Sequence, residues 1–194
     1  MVTLTVDETA VPELAGSPSA ARDSHSTRLA RAVGEHYDFV WRSLKRLGVP
    51  DADAEDAAQE VFLTLSRRLA DVPRESERSF LYRTAVNHAA HVHRARARRR
   101  EVHEPAFDAA PASTRTPEDL LDGARARALC HELLDALSLE QRAVFVLYEL
   151  EQMTMAEIAA TLELPMGTVA SRLRRGRDAF SRLLKLRLAG AGGT

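Results

Sequence analysis

Residues 154–177 read TMAEIAATLELPMGTVASRLRRGR. Thr154 is followed three residues later by Glu157, the spacing of a capping box, in which hydroxyl and carboxylate each satisfy a free backbone N–H. The helix it opens is expected to bury Ile158, Ala159 and Leu162. Leu164-Pro165 ends it, because proline disfavours helix in the residue before it and is tolerated only at a helix start. A second helix opens near Met166 and is expected to bury Val169, Leu173 and Phe180. Its other face carries Thr168, Ser171, Arg172, Arg174, Arg175 and Arg177. A short helix, a tight turn and a second helix with small residues first and arginines behind is the pattern of a helix-turn-helix. Small side chains let a helix N-terminus enter the major groove, and arginines reach phosphates or guanine edges. A solvated basic helix would show the same face. The capping box, small Ala159, the proline turn and apolar Val169 together favour the DNA-binding unit. Glu163 stands where such turns often hold glycine and is expected to take a left-handed backbone conformation at some cost.

Working outward, Ser138-Leu139-Glu140-Gln141 is a second capping box, opening a helix that buries Ala143, Val144, Leu147 and Tyr148. Thr116-Pro117-Glu118-Asp119 is a helix start of cap, first-position proline and acids. That helix carries Leu120, Leu121, Ala128, Leu129 and Leu133 to about Leu137. Four helices thus make a C-terminal domain at 117–187, with a flexible tail at 188–194. Before it, 101–116 holds Pro105, Pro111, several alanines and Ser113-Thr114, a flexible linker between two small helical domains. Between Glu101 and Asp122 six acids face one base, Arg115, so the linker is acidic.

The N-terminal domain is expected at 28–100, behind a flexible tail at 1–27 rich in Ala, Ser, Pro and Thr. Its first helix, from about Arg28 to Leu47, carries the apolar stripe Tyr37, Val40, Trp41, Leu44 and Leu47 and stops at Gly48-Val49-Pro50. The second follows Asp51 or Asp53 as N-cap and buries Ala58, Val61, Phe62, Leu65 and Leu69. Its acids crowd the first turns, where the helix dipole favours them, and Asp56, Gln59 and Glu60 lie off the apolar face. After a polar loop at 71–79, a third helix begins near Arg78 or Ser79 and runs through Arg100. Phe80, Leu81, Thr84, Ala85 and His88 can face the core, and Asn87, His91 and Arg94 follow on another face. Its end, RARARRR, resembles a nucleic-acid surface.

The chain has 194 residues and a net charge of −1. Ala, Leu, Arg and Glu dominate without long β-branched runs, so an all-α fold is expected. Cys130 has no partner for a disulfide, which fits a reducing cytoplasm. No stretch approaches the roughly 20 apolar residues of a membrane span, and MVTLTVDETAVPELAG lacks the basic start of a signal peptide, so no membrane insertion is expected. The small net charge hides segregation: 51–60 holds five acids and no base, while 94–100 holds five arginines. Such a chain is expected to meet two kinds of partner, one of them nucleic acid. His88, His91 and His93 raise a metal site, but no cysteine or suitably placed carboxylate joins them, and neither metal nor cofactor is expected. No nucleophile and base stand at credible spacing, so the chain is not expected to be an enzyme.

Two separated motifs now carry a resemblance. DAEDAAQEVFLTL (53–65) resembles the polymerase-contacting helix of extracytoplasmic-function (ECF) sigma factors, members of the sigma-70 superfamily. LSLEQRAVFVLYELEQMTMAEIAATLELPMGTVASRLRRGR (137–177) is similar to their promoter-reading C-terminal domain. The resemblance spans about Arg28 to Leu186. It implies that Asp56, Gln59 and Glu60 bind core RNA polymerase. Phe80, Arg83, Asn87, His91 and Arg94 would take up the minus-ten element, and Thr168, Ala170, Ser171, Arg172, Arg174 and Arg175 would read the minus-thirty-five element. Promoter DNA, core RNA polymerase and an anti-sigma factor are the implied partners. The family often has tryptophan at the place of Phe80, aspartate at that of His91 and a basic residue at that of Ala170. The alternative function is a stand-alone helix-turn-helix regulator, which would have no need of the acidic helix.

Overall fold

Helix α1 (Pro18–Arg46) presents Val40, Leu44 and, just beyond its end, Leu47 to the interior, all with no exposed surface. Burying an aliphatic side chain fully contributes about 1.5–3 kcal/mol, so this stripe alone fixes the rotation of α1. The turn after it is set by Gly48 at φ +88°, a conformation that favours glycine. There the Gly48 N–H reaches the Lys45 carbonyl at 3.0 Å and the Val49 N–H the Leu44 carbonyl at 3.0 Å, a Schellman closure of the helix. α2 (Asp51–Arg68) buries Ala54, Ala57, Ala58, Val61, Phe62 and Leu65, and Tyr37 stacks on Phe62 with ring centroids 6.3 Å apart. A single 3-10 turn (Arg74–Ser76) leads into α3 (Glu77–Val102), which buries Leu81, Tyr82, Ala85 and Ala89. α4 (Pro117–Asp135), α5 (Leu139–Phe145) with its π-helical continuation Val146–Leu150, α6 (Met155–Leu162) and α7 (Met166–Ala191) complete the order. The computed structural model describes residues 18–102 and 117–191; residues 1–17 of the tail expected at 1–27, residues 103–116 of the linker expected at 101–116, and residues 192–194 lie outside the described residues. Among the described residues there is no strand, and the fold is all-α.

Several boundaries differ from the sequence reading. α1 begins at Pro18, inside the segment read as a tail to residue 27, and His25 Nε2 hydrogen bonds with Ser66 Oγ on α2 at 3.2 Å. Proline is tolerated at a helix start, and the Ser and Thr that follow it masked the pattern. Pro50, not Asp51 or Asp53, is the N-cap residue of α2; it makes no side-chain cap, and exposed Asp51 instead pairs with Lys45 at 3.0 Å. α7 continues to Ala191, beyond the expected end at 187.

Glu77, expected at the edge of a polar loop, is fully buried. Its Oε1 accepts from Arg28 Nε at 2.9 Å and its Oε2 from Arg31 Nη2 at 2.7 Å, while Arg28 Nη1 also donates to the Leu69 carbonyl at 2.8 Å. Burial opposes ionisation of Glu77, but the two arginine hydrogen bonds outweigh it and hold the carboxyl below its ordinary range. A buried charge persists only when paired in this way.

The two halves also pack on each other. One apolar cluster runs from Val40 and Leu44 through Leu81 and Tyr82 to Val144, Leu147 and Ile158. The Tyr82 hydroxyl donates to the Ala143 carbonyl at 2.9 Å. Arg142 is buried against the Gly48 turn, where any Cβ would meet its guanidinium and the His93 ring, and it donates to Asp135 at 2.7 Å. Burial lowers the basicity of Arg142, against the pull of Asp135.

Candidate nucleic-acid interface

The capping box at Thr154 forms as expected. The Thr154 Oγ1 accepts from the Glu157 N–H at 3.3 Å, and a Glu157 carboxylate oxygen accepts from the Thr154 N–H at 2.8 Å. The Thr154 N–H first, and then the Thr154 hydroxyl, which donates to the same carboxylate at 2.7 Å, hold the Glu157 carboxyl below its ordinary range. Ser138 caps α5 from one side, its Oγ accepting from the Gln141 N–H at 3.4 Å. α6 ends in a second Schellman closure. The Glu163 N–H reaches the Ala160 carbonyl and the Leu164 N–H the Ala159 carbonyl, with Glu163 itself at φ 53°. The left-handed residue anticipated from the missing glycine is therefore present. The Pro165 carbonyl then accepts from the Thr168 and Val169 N–H groups at 2.9 and 3.1 Å, which starts α7.

α7 is anchored by buried Val169 and Leu173, by Gly176 close to Phe145, and by Phe180, half-buried and stacked on Phe145 at 4.9 Å. Arg174 and Arg175 are exposed, and Thr168, Ala170, Ser171 and Arg172 are half-exposed, so all six candidates keep part of their surface in solvent. The Ser171 hydroxyl donates to the Thr168 carbonyl at 3.0 Å. Arg177 differs from its neighbours: its Nε donates to Glu149 at 2.5 Å and its guanidinium lies 4.7 Å over the Tyr148 ring. Met166, 52% exposed at the first position of α7, adds an apolar side chain beside Thr168 that the sequence reading did not single out.

On α3, Phe80, Arg83, Asn87, His91 and Arg94 recur at three- and four-residue steps and so share one face. Asn87, His91 and Arg94 are exposed along it. Phe80 is half-buried, and Arg83 pairs with Glu163 of the helix-turn-helix turn. The three histidines do not converge. His91 is exposed, His93 Nε2 hydrogen bonds with the Leu47 carbonyl at 2.8 Å, and His88 is half-buried, which pushes its pKa down. Among the described residues no three metal-ligating side chains gather.

On α2, Asp56, Gln59 and Glu60 are exposed opposite the buried stripe. Leu63, 47% exposed, lies one turn further along the same face. Leu63 thus adds an apolar side chain to a face of two acids and an amide. Its signal in the sequence was the 56–59–60–63 spacing.

Residues 32–100 match the sigma-70 region 2 family, and residues 127–180 match the sigma-70 region 4 family. The ECF RNA polymerase sigma factor SigE of Mycolicibacterium smegmatis is 36% identical over 147 residues, 75% of this chain and 57% of that protein, so the match spans little more than half of that relative. The ECF RNA polymerase sigma-E factor of Escherichia coli is 31% identical over 153 residues, 74% of this chain and 80% of that protein. Two solved structures share the fold. CnrH, in complex with the cytosolic domain of CnrY, superposes with a TM-score of 0.61 at 24% identity, over 87% of this chain and 94% of that one. RpoE of Bartonella quintana, in complex with the anti-sigma factor NepR, gives 0.60 at 20% identity, over 84% and 97%. With both halves matched, in the same order, the chain belongs to the ECF sigma factors of the sigma-70 family.

Proposed function

We propose that this sigma factor binds core RNA polymerase through the exposed Asp56, Gln59, Glu60 and Leu63 face of α2 and directs the enzyme to promoters. On this reading the start of α7 enters the major groove of the minus-thirty-five element. Thr168, Ala170 and Ser171 leave room for the bases, and Arg172, Arg174 and Arg175 supply base-edge or phosphate contacts. Phe80, Arg83, Asn87, His91 and Arg94 on α3 take up the minus-ten strand, where an aromatic and a row of amide and cationic groups suit unpaired bases. The protein performs no chemistry itself and works in the cytoplasm beside the polymerase; no helix among the described residues is long and apolar enough to cross a membrane. Both structural neighbours are held by a protein partner, and an anti-sigma factor is the corresponding partner here.

The observation that carries this reading is the coexistence of an acidic, leucine-centred face on α2 with a cationic face on α7. A regulator that acts alone needs only the second. The test is the double change Asp56→Lys, Glu60→Lys. Both side chains are exposed, so the fold and its circular dichroism stay intact while co-purification with core polymerase is lost. A folded variant that co-purifies at the wild-type yield overturns the assignment.

A further inference from the structure

The first turn of α7 departs from those of α2, α3, α5 and α6. Each of those four helices carries an acid there, where the helix dipole favours it, and α7 carries none. At its first position stands Met166, 52% exposed. The core does not need this side chain, because Val169 and Leu173, both buried, anchor the helix. Nor does the helix start need it: the Pro165 carbonyl accepts from the Thr168 and Val169 N–H groups whatever residue 166 carries. Gly167 follows, and a Cβ there would meet nothing within 4 Å, so the backbone beside Met166 is open. Ala170, at i+4 and half-exposed, shares the flank of Met166, and exposed Arg174 comes one turn later. From the helix start the flank runs apolar, apolar, cationic.

An acid at this place would help the helix dipole but would be repelled by a phosphate backbone, and a methionine avoids that repulsion. It also brings something an alanine or serine would not. The floor of the major groove presents one apolar group, the 5-methyl of thymine; its other reading atoms are hydrogen-bond donors and acceptors. A methionine side chain is long, unbranched and polarisable, and it adapts to a small apolar target. We propose that Met166 reads a base: its thioether covers the 5-methyl group of one thymine in the minus-thirty-five element and makes thymine preferred at that position. The proposal rests on the reading of α7 as the helix in the major groove and adds one base to its specificity. Ala170 is short and uncharged, so it leaves Met166 room to lie along the base edge. Arg174, on the same flank, continues toward a phosphate. A cytosine in the same position lacks the methyl and offers its N4 amino group, which a thioether would cover while giving it only a weak acceptor. A uracil keeps the pairing and the O4 acceptor of thymine and lacks the methyl alone, so the contact can be isolated.

The experiment uses the full chain bound to core RNA polymerase. A duplex library randomised over the minus-thirty-five element is selected for binding, and the enriched duplex is remade with deoxyuridine in place of each thymine in turn. Affinities are measured with fluorescein-labelled duplexes at one fixed salt concentration. One of the replacements is expected to weaken wild type about fourfold, the worth of one buried methyl group. Met166→Ala is expected to bind that deoxyuridine duplex and its thymine parent equally, and to respond as wild type does to the other replacements. Met166 is exposed, so the variant keeps its fold, and the wild-type series needs no variant. An enriched element without thymine overturns the proposal, as does a wild type indifferent to every replacement. The same fourfold loss in Met166→Ala takes the methyl contact away from this residue and overturns it too. Arg174→Ala with Arg175→Ala separates these failures from that of the underlying reading. If the double variant loses the selected duplex while deoxyuridine has no effect, α7 reads the element and Met166 does not. If it binds as wild type does, or if selection enriches no element, the reading of α7 fails and that of Met166 with it.

Discussion

Removal of one oxygen atom, in Tyr82→Phe, tests whether the two halves fold as one unit. Tyr82 is 1% exposed, its ring lies 6.0 Å from that of Phe39, and its hydroxyl donates across the boundary to the Ala143 carbonyl at 2.9 Å. Burial pushes the phenol far above its ordinary pKa, so the hydroxyl keeps its proton throughout the usable pH range and always donates. The substitution keeps the ring and its packing. It orphans nothing, because the Ala143 carbonyl also accepts from the Val146 N–H. The loss is therefore the net value of one buried hydrogen bond, about 0.5–1.5 kcal/mol, without the added penalty of an unpaired acceptor. For a cooperative unit of this size that lowers Tm by roughly 1–6 °C. Differential scanning calorimetry of wild type and variant is the assay, with urea unfolding followed at two wavelengths as a check on cooperativity. One transition, displaced as a whole, is the expected result. Two transitions in the wild type, only one of which moves, would refute the claim of a shared core; so would a Tm unchanged to within the error of the scan. Tyr82→Ala, by contrast, opens a cavity at the centre of the boundary and is expected to cost about 3–5 kcal/mol.

Arg172→Ala or Arg175→Ala is expected to weaken promoter binding by the polymerase complex by about 1–3 kcal/mol wherever the arginine reads a base; wild-type promoter activity in both variants would take α7 off the DNA. Glu77 gives the acid limb of stability a definite sign. Its folded pKa lies below the unfolded one, so its contribution is complete at neutral pH and is lost as the pH falls through the depressed value, beneath the usual carboxylate range. Glu77→Gln is accordingly expected to be less stable at pH 7 and to flatten the acid side of a Tm-versus-pH curve, and an unaltered slope would show that the arginines do not hold the charge. Gly48→Ala forces a side chain into φ +88° and against Arg142 and His93, and is expected to cost at least about 1–2 kcal/mol in urea unfolding.

What the sequence disclosed, it disclosed through short-range rules. The capping box at Thr154, the break at Leu164-Pro165 and the apolar positions Ile158, Val169 and Leu173 involve residues within a turn or two of each other, and each is found in the structure as read. Even the strained Glu163 was legible, since a Schellman turn without glycine leaves few alternatives. The Asp56, Gln59 and Glu60 face was legible for the same reason: it is what remains when the buried stripe of α2 is subtracted. The start of α1 at Pro18 and the capping of α2 at Pro50 were not, because Ser, Thr and Asp fit a loop or a cap as well as a first turn.

The larger omission concerns which exposed face meets which. Periodicity sorts the residues of one helix into inside and outside, but it assigns no partner to the outside. Arg78 and Glu151 are 73 residues apart, and Arg83 and Glu163 are 80 apart, so no local pattern pairs them. Read along the chain, Glu151 is one more acid in YELEQMT and Arg78 one more base before a helix. Tyr82 is hidden by the same limit: it stands one step off the stripe that α3 shows to its own half, and it is buried because a second half covers it. Several of the residues that the sequence could not place thus lie at the boundary between the halves. The polar pairs there, such as Arg78 with Glu151, carry no period of their own: they form only once the fold has brought two distant helices together.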